Sequence, residues 1–177
     1  MEGKGRITGH TGLLALIGSP VGHSGSPAMY NYSFEKLGLD YAYVAFDIKV
    51  EEVKAALDAM RLFHMRGCNV TMPCKTEAAK YMDELSPAAR IIGAVNTIVN
   101  EDGKLIGHMT DGEGFVGNLR DHGIEIKGKK ITVAGGGGAA TAIQVQCALD
   151  GAREISIFNI KDDFFERTLE TAEKIRK

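Results

Sequence analysis

Four consecutive glycines, Gly135 to Gly138, stand between an apolar run, Lys130 to Ala134, and a stretch from Ala139 to Leu149 that reads as a helix. No other feature constrains the fold so strongly. A strand that turns into a helix through glycine opens a βα unit. A second unit follows, with Glu154 to Phe158 as its strand and Phe164 to Ile175 as its helix. Strands alternating with helices in this way build a parallel sheet with helices on its faces.

The spacing Gly135-x-Gly137-x-x-Ala140 meets three physical demands. It allows a tight turn, close approach of a pyrophosphate to the backbone, and a helix N-terminus aimed at that anion. Gly135, Gly137, Gly138 and Ala139 are therefore the expected contacts of a dinucleotide. A plain flexible loop is the alternative, and the flanking strand and helix argue against it. At the end of the second strand stand Asn159, Ile160, Lys161, Asp162 and Asp163. An acidic residue here would bond the ribose 2′-OH of NAD, whereas an arginine would favour a 2′-phosphate. Asn159 and Asp162 are the expected contacts, and NAD is favoured over NADP. Asp162 reads equally well as the N-cap of the last helix.

The first half also alternates strands and helices. Leu13 to Ile17 reads as a buried strand stopped by Gly18-Ser19-Pro20. Gly18 to Pro27 is a loop. Ser26 as N-cap and Pro27 at the first helical position open a helix that runs to Leu37 and stops at Gly38. Tyr41 to Ile48 alternates like a strand, and Val53, Ala56, Leu57 and Met60 follow helical spacing. Gly67 to Val70 is a third strand, Lys75 to Met82 a helix, and Ala94 to Val99 a strand. A turn at Asn100 to Gly103 leads to the strand Leu105 to His108, and Asp111 opens a helix ending near Gly123. The reading is an α/β chain with two parts: an α/β substrate-binding domain over residues 1–110, then a partial Rossmann domain, a doubly wound parallel sheet, over residues 111–177.

Polar residues gather at the expected strand ends, where ligands of open α/β sheets sit. Ser24 and Ser26 lie beside a helix start, which suits a carboxylate or phosphate, although simple capping explains Ser26 as well. Thr71 and Lys75 follow the third strand. Asn96 follows an apolar strand stretch, and Thr110-Asp111 follows another. An aspartate against Lys75 would hold it charged and oriented, a candidate proton-transfer pair.

A net charge of −2 with mixed signs gives no basic footprint for nucleic acid or an anionic membrane. Cys68, Cys74 and Cys147 form no C-x-x-C pair, so neither zinc nor a disulfide framework is indicated, and the thiols fit a reducing cytoplasm. The five histidines lack ligand spacing, so no metal is expected. The polar N-terminus has no apolar segment of the signal-peptide kind, and the apolar runs are too short to span a bilayer.

Taken together, these blocks resemble the shikimate dehydrogenase family and its quinate/shikimate branch. Gly18-Ser19-Pro20-x-x-His23-Ser24-x-Ser26-Pro27 resembles the family's N-terminal signature, and Asn69-Val70-Thr71-x-Pro73-x-Lys75 its lysine motif. Gly93 to Thr97, Thr110 to Gly114 and Gly135 to Ala140 resemble the following blocks, in the family's order. The resemblance implies reversible hydride transfer between NAD or NADP and the ring hydroxyl of shikimate, in aromatic amino acid (chorismate) biosynthesis, or the same chemistry on quinate. It implies that Ser24 and Ser26 hold the substrate carboxylate, and that Thr71, Asn96 and Asp111 bind ring hydroxyls. Lys75 and Asp111 are then the catalytic pair. The implied partners are shikimate, quinate or their 3-dehydro forms, and a second copy in a homodimer.

Three positions depart from the pattern. Tyr30 stands where a histidine is usual, Met109 where an asparagine is common, and Ile160 where NADP-preferring members carry arginine. Only two strand–helix units follow residue 128. A two-stranded remnant of a parallel sheet leaves edges and apolar faces uncovered. This predicts a shortened chain whose substrate half folds and whose turnover is weak or absent. The rival functions are a non-catalytic shikimate- or quinate-binding fragment and a regulatory quinate-binding domain. The pairing of Lys75 with Asp111 argues against the latter.

Overall fold

A computed structural model of the chain describes residues 7–161 and 165–176. They divide into two compact units, one of residues up to Glu84 with Val95–Gly107, the other of Leu85–Ala94 with the residues from His108 onward.

The first unit is built on a six-stranded sheet. Its strands are β1 (Gly12–Gly18), β2 (Tyr41–Asp47), β3 (Gly67–Val70), β4 (Glu84–Leu85), β5 (Thr97–Glu101) and β6 (Lys104–His108), in the order β2-β1-β3-β5-β6-β4. β1 pairs in parallel with both β2 and β3, while β5 runs antiparallel to β3. The unbroken apolar run of β1 follows from burial on both faces. Leu14 and Leu16 pack with Phe34, Tyr43 and Val21. Leu13 and Ile17 face Leu57 and Met60 across an apolar cavity of about 310 Å³.

Helix α1 (Ser26–Leu37) ends where Gly38, at φ 66°, donates back to Glu35, the left-handed stop that glycine permits. Its start corrects one expectation. Gly25, not Ser26, is the N-cap, and no side chain caps the helix. The helix begins one residue early because Met29 N–H already reaches the Gly25 carbonyl. Helix α2 (Val53–Leu62) follows a single 3₁₀ turn, Val50–Glu52. Helix α3 (Lys75–Ala79) is shorter than the expected Lys75 to Met82.

The strand expected from Ala94 to Val99 is displaced. Val95 N–H donates to the Lys75 carbonyl at 3.0 Å, so Ala94 to Asn96 are held in a loop, and pairing with β3 starts where Thr97 meets Asn69. Asn96 therefore precedes β5 instead of following a strand. The β5–β6 turn is tighter than expected, with positive φ at Asp102 and Gly103. Asn100 is a buried strand residue that donates to the Met65 carbonyl and accepts from Gly103 N–H.

The second unit holds α4 (Pro87–Ile92), α5 (Asp111–Asp121), β7 (Lys130–Ala134), α6 (Gly138–Leu149), β8 (Glu154–Phe158) and α7 (Phe165–Ile175). β7 and β8 pair in parallel from Lys130–Glu154 to Ala134–Phe158. Val116, Ile126 and Cys147 form a core with Leu119, Ile131 and Ile155 around them. Gly112 is buried because α5 lies hard against α6: a Cβ there would run into the Ala142 carbonyl and stand 2.7 Å from Gln146 Cβ. The α/β architecture read from the sequence is the one observed.

Candidate functional site

The site in the first unit is assembled at the carboxyl ends of β1 and β3. Thr71 N–H donates to the Ile17 carbonyl and Ser19 N–H to the Met72 carbonyl, so the loops leaving the two strands lie side by side. Gly18 makes that approach possible. Its φ of 151° is open to glycine, and a Cβ there would strike the Thr71 side chain and come within 2.9 Å of the Met72 carbonyl. The loops enclose a cavity of about 180 Å³ lined by Ser24, Ser26, Thr71, His23, Leu16 and Val21, with Pro20. This is smaller than the ~300–1,000 Å³ of sites for drug-sized ligands, and a single-ring acid is the right scale. Ser24 Oγ accepts from Ser26 N–H at 3.2 Å, which leaves its hydroxyl proton to donate. The Ser26 hydroxyl caps nothing in α1. Two hydroxyl donors beside an uncapped helix start suit a carboxylate.

Lys75 and Asn96 belong to the same end of this unit. Lys75, half-buried, is the first residue of α3, immediately after the β3-side turn closed by Cys74 N–H on the Thr71 carbonyl. Asn96 is 8 % exposed, and its carbonyl accepts from Val70 N–H at 2.8 Å. Because β5 is antiparallel, the residue before it lies at the carboxyl end of β3. Asp111 is the exposed first residue of α5 in the second unit, after Thr110 as N-cap.

The glycine turn forms a separate site in the second unit. Gly135, at φ 114°, extends the β7 ladder by donating to the Phe158 carbonyl at 2.7 Å. Buried Gln144 and Thr141 of α6 donate to the Gly135 and Gly136 carbonyls, fixing the turn from beneath. Gly137 is the N-cap of α6, with no side-chain cap. The N–H groups at the start of α6, at Gly138 and Ala139, belong to those that have no partner within a helix. A Cβ at Gly137 or Gly138 would meet nothing within 4 Å. That open cradle fits a dinucleotide pyrophosphate. Gly135, Gly137, Asn159 and Ile160 line a cleft of about 1000 Å³. Gly138 and Ala139 form the exposed first turn of α6. Asp162 lies outside the described residues.

One glycine was missed in the sequence. A Cβ on Gly136 would collide with Thr168 Oγ1 and come within 2.7 Å of Asn159 Nδ2. Its role is to let α7 and the end of β8 close on the turn, and a four-glycine run does not say which member carries that load. Among the described residues no three His, Cys, Asp or Glu side chains gather as metal ligands, and no helix is long and apolar enough to cross a membrane.

Residues 16–98 match the family model of the shikimate dehydrogenase substrate binding domain. Shikimate dehydrogenase (NADP(+)) of Listeria monocytogenes serotype 4b is 56% identical over 96% of this chain and 58% of its own length. The Streptococcus uberis enzyme of the same name is 53% identical over the same shares. The chain thus spans under two thirds of the length of these curated relatives. A crystal structure of shikimate 5-dehydrogenase from Listeria monocytogenes in complex with shikimate and NAD superposes with a TM-score of 0.95 at 55% identity, covering 98% of this chain and 60% of that one.

Proposed function

The chain belongs to the shikimate dehydrogenase family, and from that premise we propose that it binds shikimate at the carboxyl ends of β1 and β3 and serves its NAD(P)-dependent oxidation to the 3-dehydro form. In this reading residues 1–110 are the substrate domain and residues 111–177 begin the cofactor domain. The observation that carries it is the cavity in which Ser24, Ser26 and Thr71 converge.

Ser24 and Ser26 hold the carboxylate. Thr71, Asn96 and Asp111 take ring hydroxyls. Lys75 moves the proton of the hydroxyl being oxidised; it and Asp111 are assigned that role from their motifs. A bound NAD(P) supplies the hydride acceptor. Gly135, Gly137, Gly138 and Ala139 would hold its pyrophosphate, with Asn159 and Asp162 towards its ribose. The absence of arginine at Ile160, whose side chain is 75% exposed, supports use of NAD, and the Listeria crystal complex holds NAD. Quinate is the alternative substrate.

Calorimetric titration with shikimate tests the substrate site. The native chain binds, and Ser26→Ala, which removes a donor to a charged group, weakens binding by roughly tenfold or more. Equal binding by the variant would contradict the assignment.

A further inference from the structure

Tyr43 lies on β2, yet its hydroxyl crosses β1 and reaches β3. Its Oη donates to Asn69 Oδ1 at 2.8 Å. Asn69 Nδ2 in turn approaches Thr97 Oγ1 at 3.2 Å and the Asn96 carbonyl at 3.4 Å. The orientation of this amide is settled by chemistry. A carbonyl only accepts, so the nitrogen must face Asn96 and the oxygen must face Tyr43. Burial, with Tyr30 adding to it, pushes the Tyr43 phenol pKa up, so it remains a donor.

Tyr43 is itself held on all sides. Its ring stacks on Tyr30 at 4.5 Å. Its main chain is paired by one side chain, with Tyr43 N–H donating to Asn31 Oδ1 at 2.9 Å and Asn31 Nδ2 donating to the Tyr43 carbonyl at 2.7 Å. Asn31 Nδ2 also donates to the Pro27 carbonyl at 2.8 Å, in the first turn of α1. An unbroken run of hydrogen bonds thus links the turn that carries Ser26 to the residue that opens β5.

We propose that Tyr43 and Asn69 are positioning residues: with Asn31 they strap the first turn of α1 to the start of β5, and so fix the spacing between the serine hydroxyls and Asn96. Neither lines the cavity of Ser24, Ser26 and Thr71. The strap sets the length of the site, so it matters for a ligand held at both ends, by a carboxylate and by ring hydroxyls. This rests on the substrate reading given above.

The test compares two ligands on the native chain, Asn69→Asp and Tyr43→Phe. One is shikimate. The other is cyclohex-1-ene-1-carboxylate, which keeps the carboxylate and lacks every ring hydroxyl. Asn69→Asp still accepts from Tyr43 and loses both donations toward β5. It should weaken shikimate by about tenfold, and Tyr43→Phe by about threefold, each the scale of a lost hydrogen bond. Neither should move the affinity for the cyclohexene acid. Equal weakening of both ligands would show a general structural role and overturn the proposal, as would unchanged shikimate binding. Should Asn69→Asp fail to fold, Tyr43→Phe decides by the same comparison. If the native chain binds neither ligand, the substrate reading falls and the proposal falls with it. If it binds shikimate and the variants match it, only the proposal falls.

Discussion

The carbonyl of Lys75 accepts the main-chain N–H of Val95 at 3.0 Å. This backbone tie places the lysine of one motif against the loop that holds the asparagine of the next. It also separates scaffold from chemistry, because nothing in the tie depends on the lysine side chain. Lys75→Ala should therefore keep the main-chain tie and the fold, while removing proton transfer. Thermal unfolding and shikimate titration together would show this. A large loss of stability would mean that the side chain is structural.

Gly18→Ala should have the opposite signature. The added methyl falls on Thr71 and the Met72 carbonyl, and the left-handed φ disfavours any side chain. The two loops must separate, so shikimate affinity and stability should fall together, the latter by about 1–3 kcal/mol. Denaturant unfolding and titration of the same variant check this.

The glycine turn offers an internal control. A methyl at Gly137 meets nothing within 4 Å, so Gly137→Ala should leave the melting temperature unchanged while weakening NAD(P) by intruding where the pyrophosphate approaches. Gly136→Ala must push against Thr168 and Asn159 and should destabilise the second unit even without cofactor. If both variants were equally stable and equally impaired, the assigned division of labour would be wrong.

Much of this was legible in the sequence, for physical reasons. β1 and β7 are apolar runs ended by turn residues, and Ser26-Pro27 and Gly38 bracket α1. What escaped depends on partners far along the chain. Asn96 reads as the end of a strand until Lys75 is seen to hold Val95 off the sheet. Ser26 reads as a cap until Gly25 is seen to take the first helical bond. The link from Tyr43 to Asn69 joins residues 26 apart across an intervening strand, and no local pattern announces it. Helix α4 was overlooked although its signal is local: Ser86 caps Ala89 N–H, and Pro87 follows.

The thiols give a prediction about pH. Burial raises the Cys68 pKa from its ordinary 9.0 to about 12, and Cys74 and Cys147 are shifted up by the same cause. The folded state thus holds protons that the unfolded chain releases. The stability this contributes is fully present below pH 9 and is lost as pH rises towards about 12. At neutral pH an alkylating reagent should label none of the three until denaturant is added. Rapid labelling of the native chain would contradict their burial.

In the proposed reading, cofactor choice turns on one exposed side chain, Ile160. Ile160→Arg would place a guanidinium at the end of β8, where a 2′-phosphate would sit. The ratio of NADP to NAD affinity should rise by about tenfold, with shikimate affinity unchanged. No shift in that ratio would remove Ile160 from the account.

The most direct test of the account is turnover. Shikimate is supplied with NAD and, separately, with NADP, and the absorbance of the reduced nicotinamide is followed for the native chain and for Lys75→Ala. The account predicts reduction by the native chain, against the weak or absent turnover expected from its two strand–helix units alone, and a fall of about 10²–10⁴-fold in the variant, with shikimate still bound. No reduction with either cofactor, or an undiminished rate without the Lys75 amine, would contradict it.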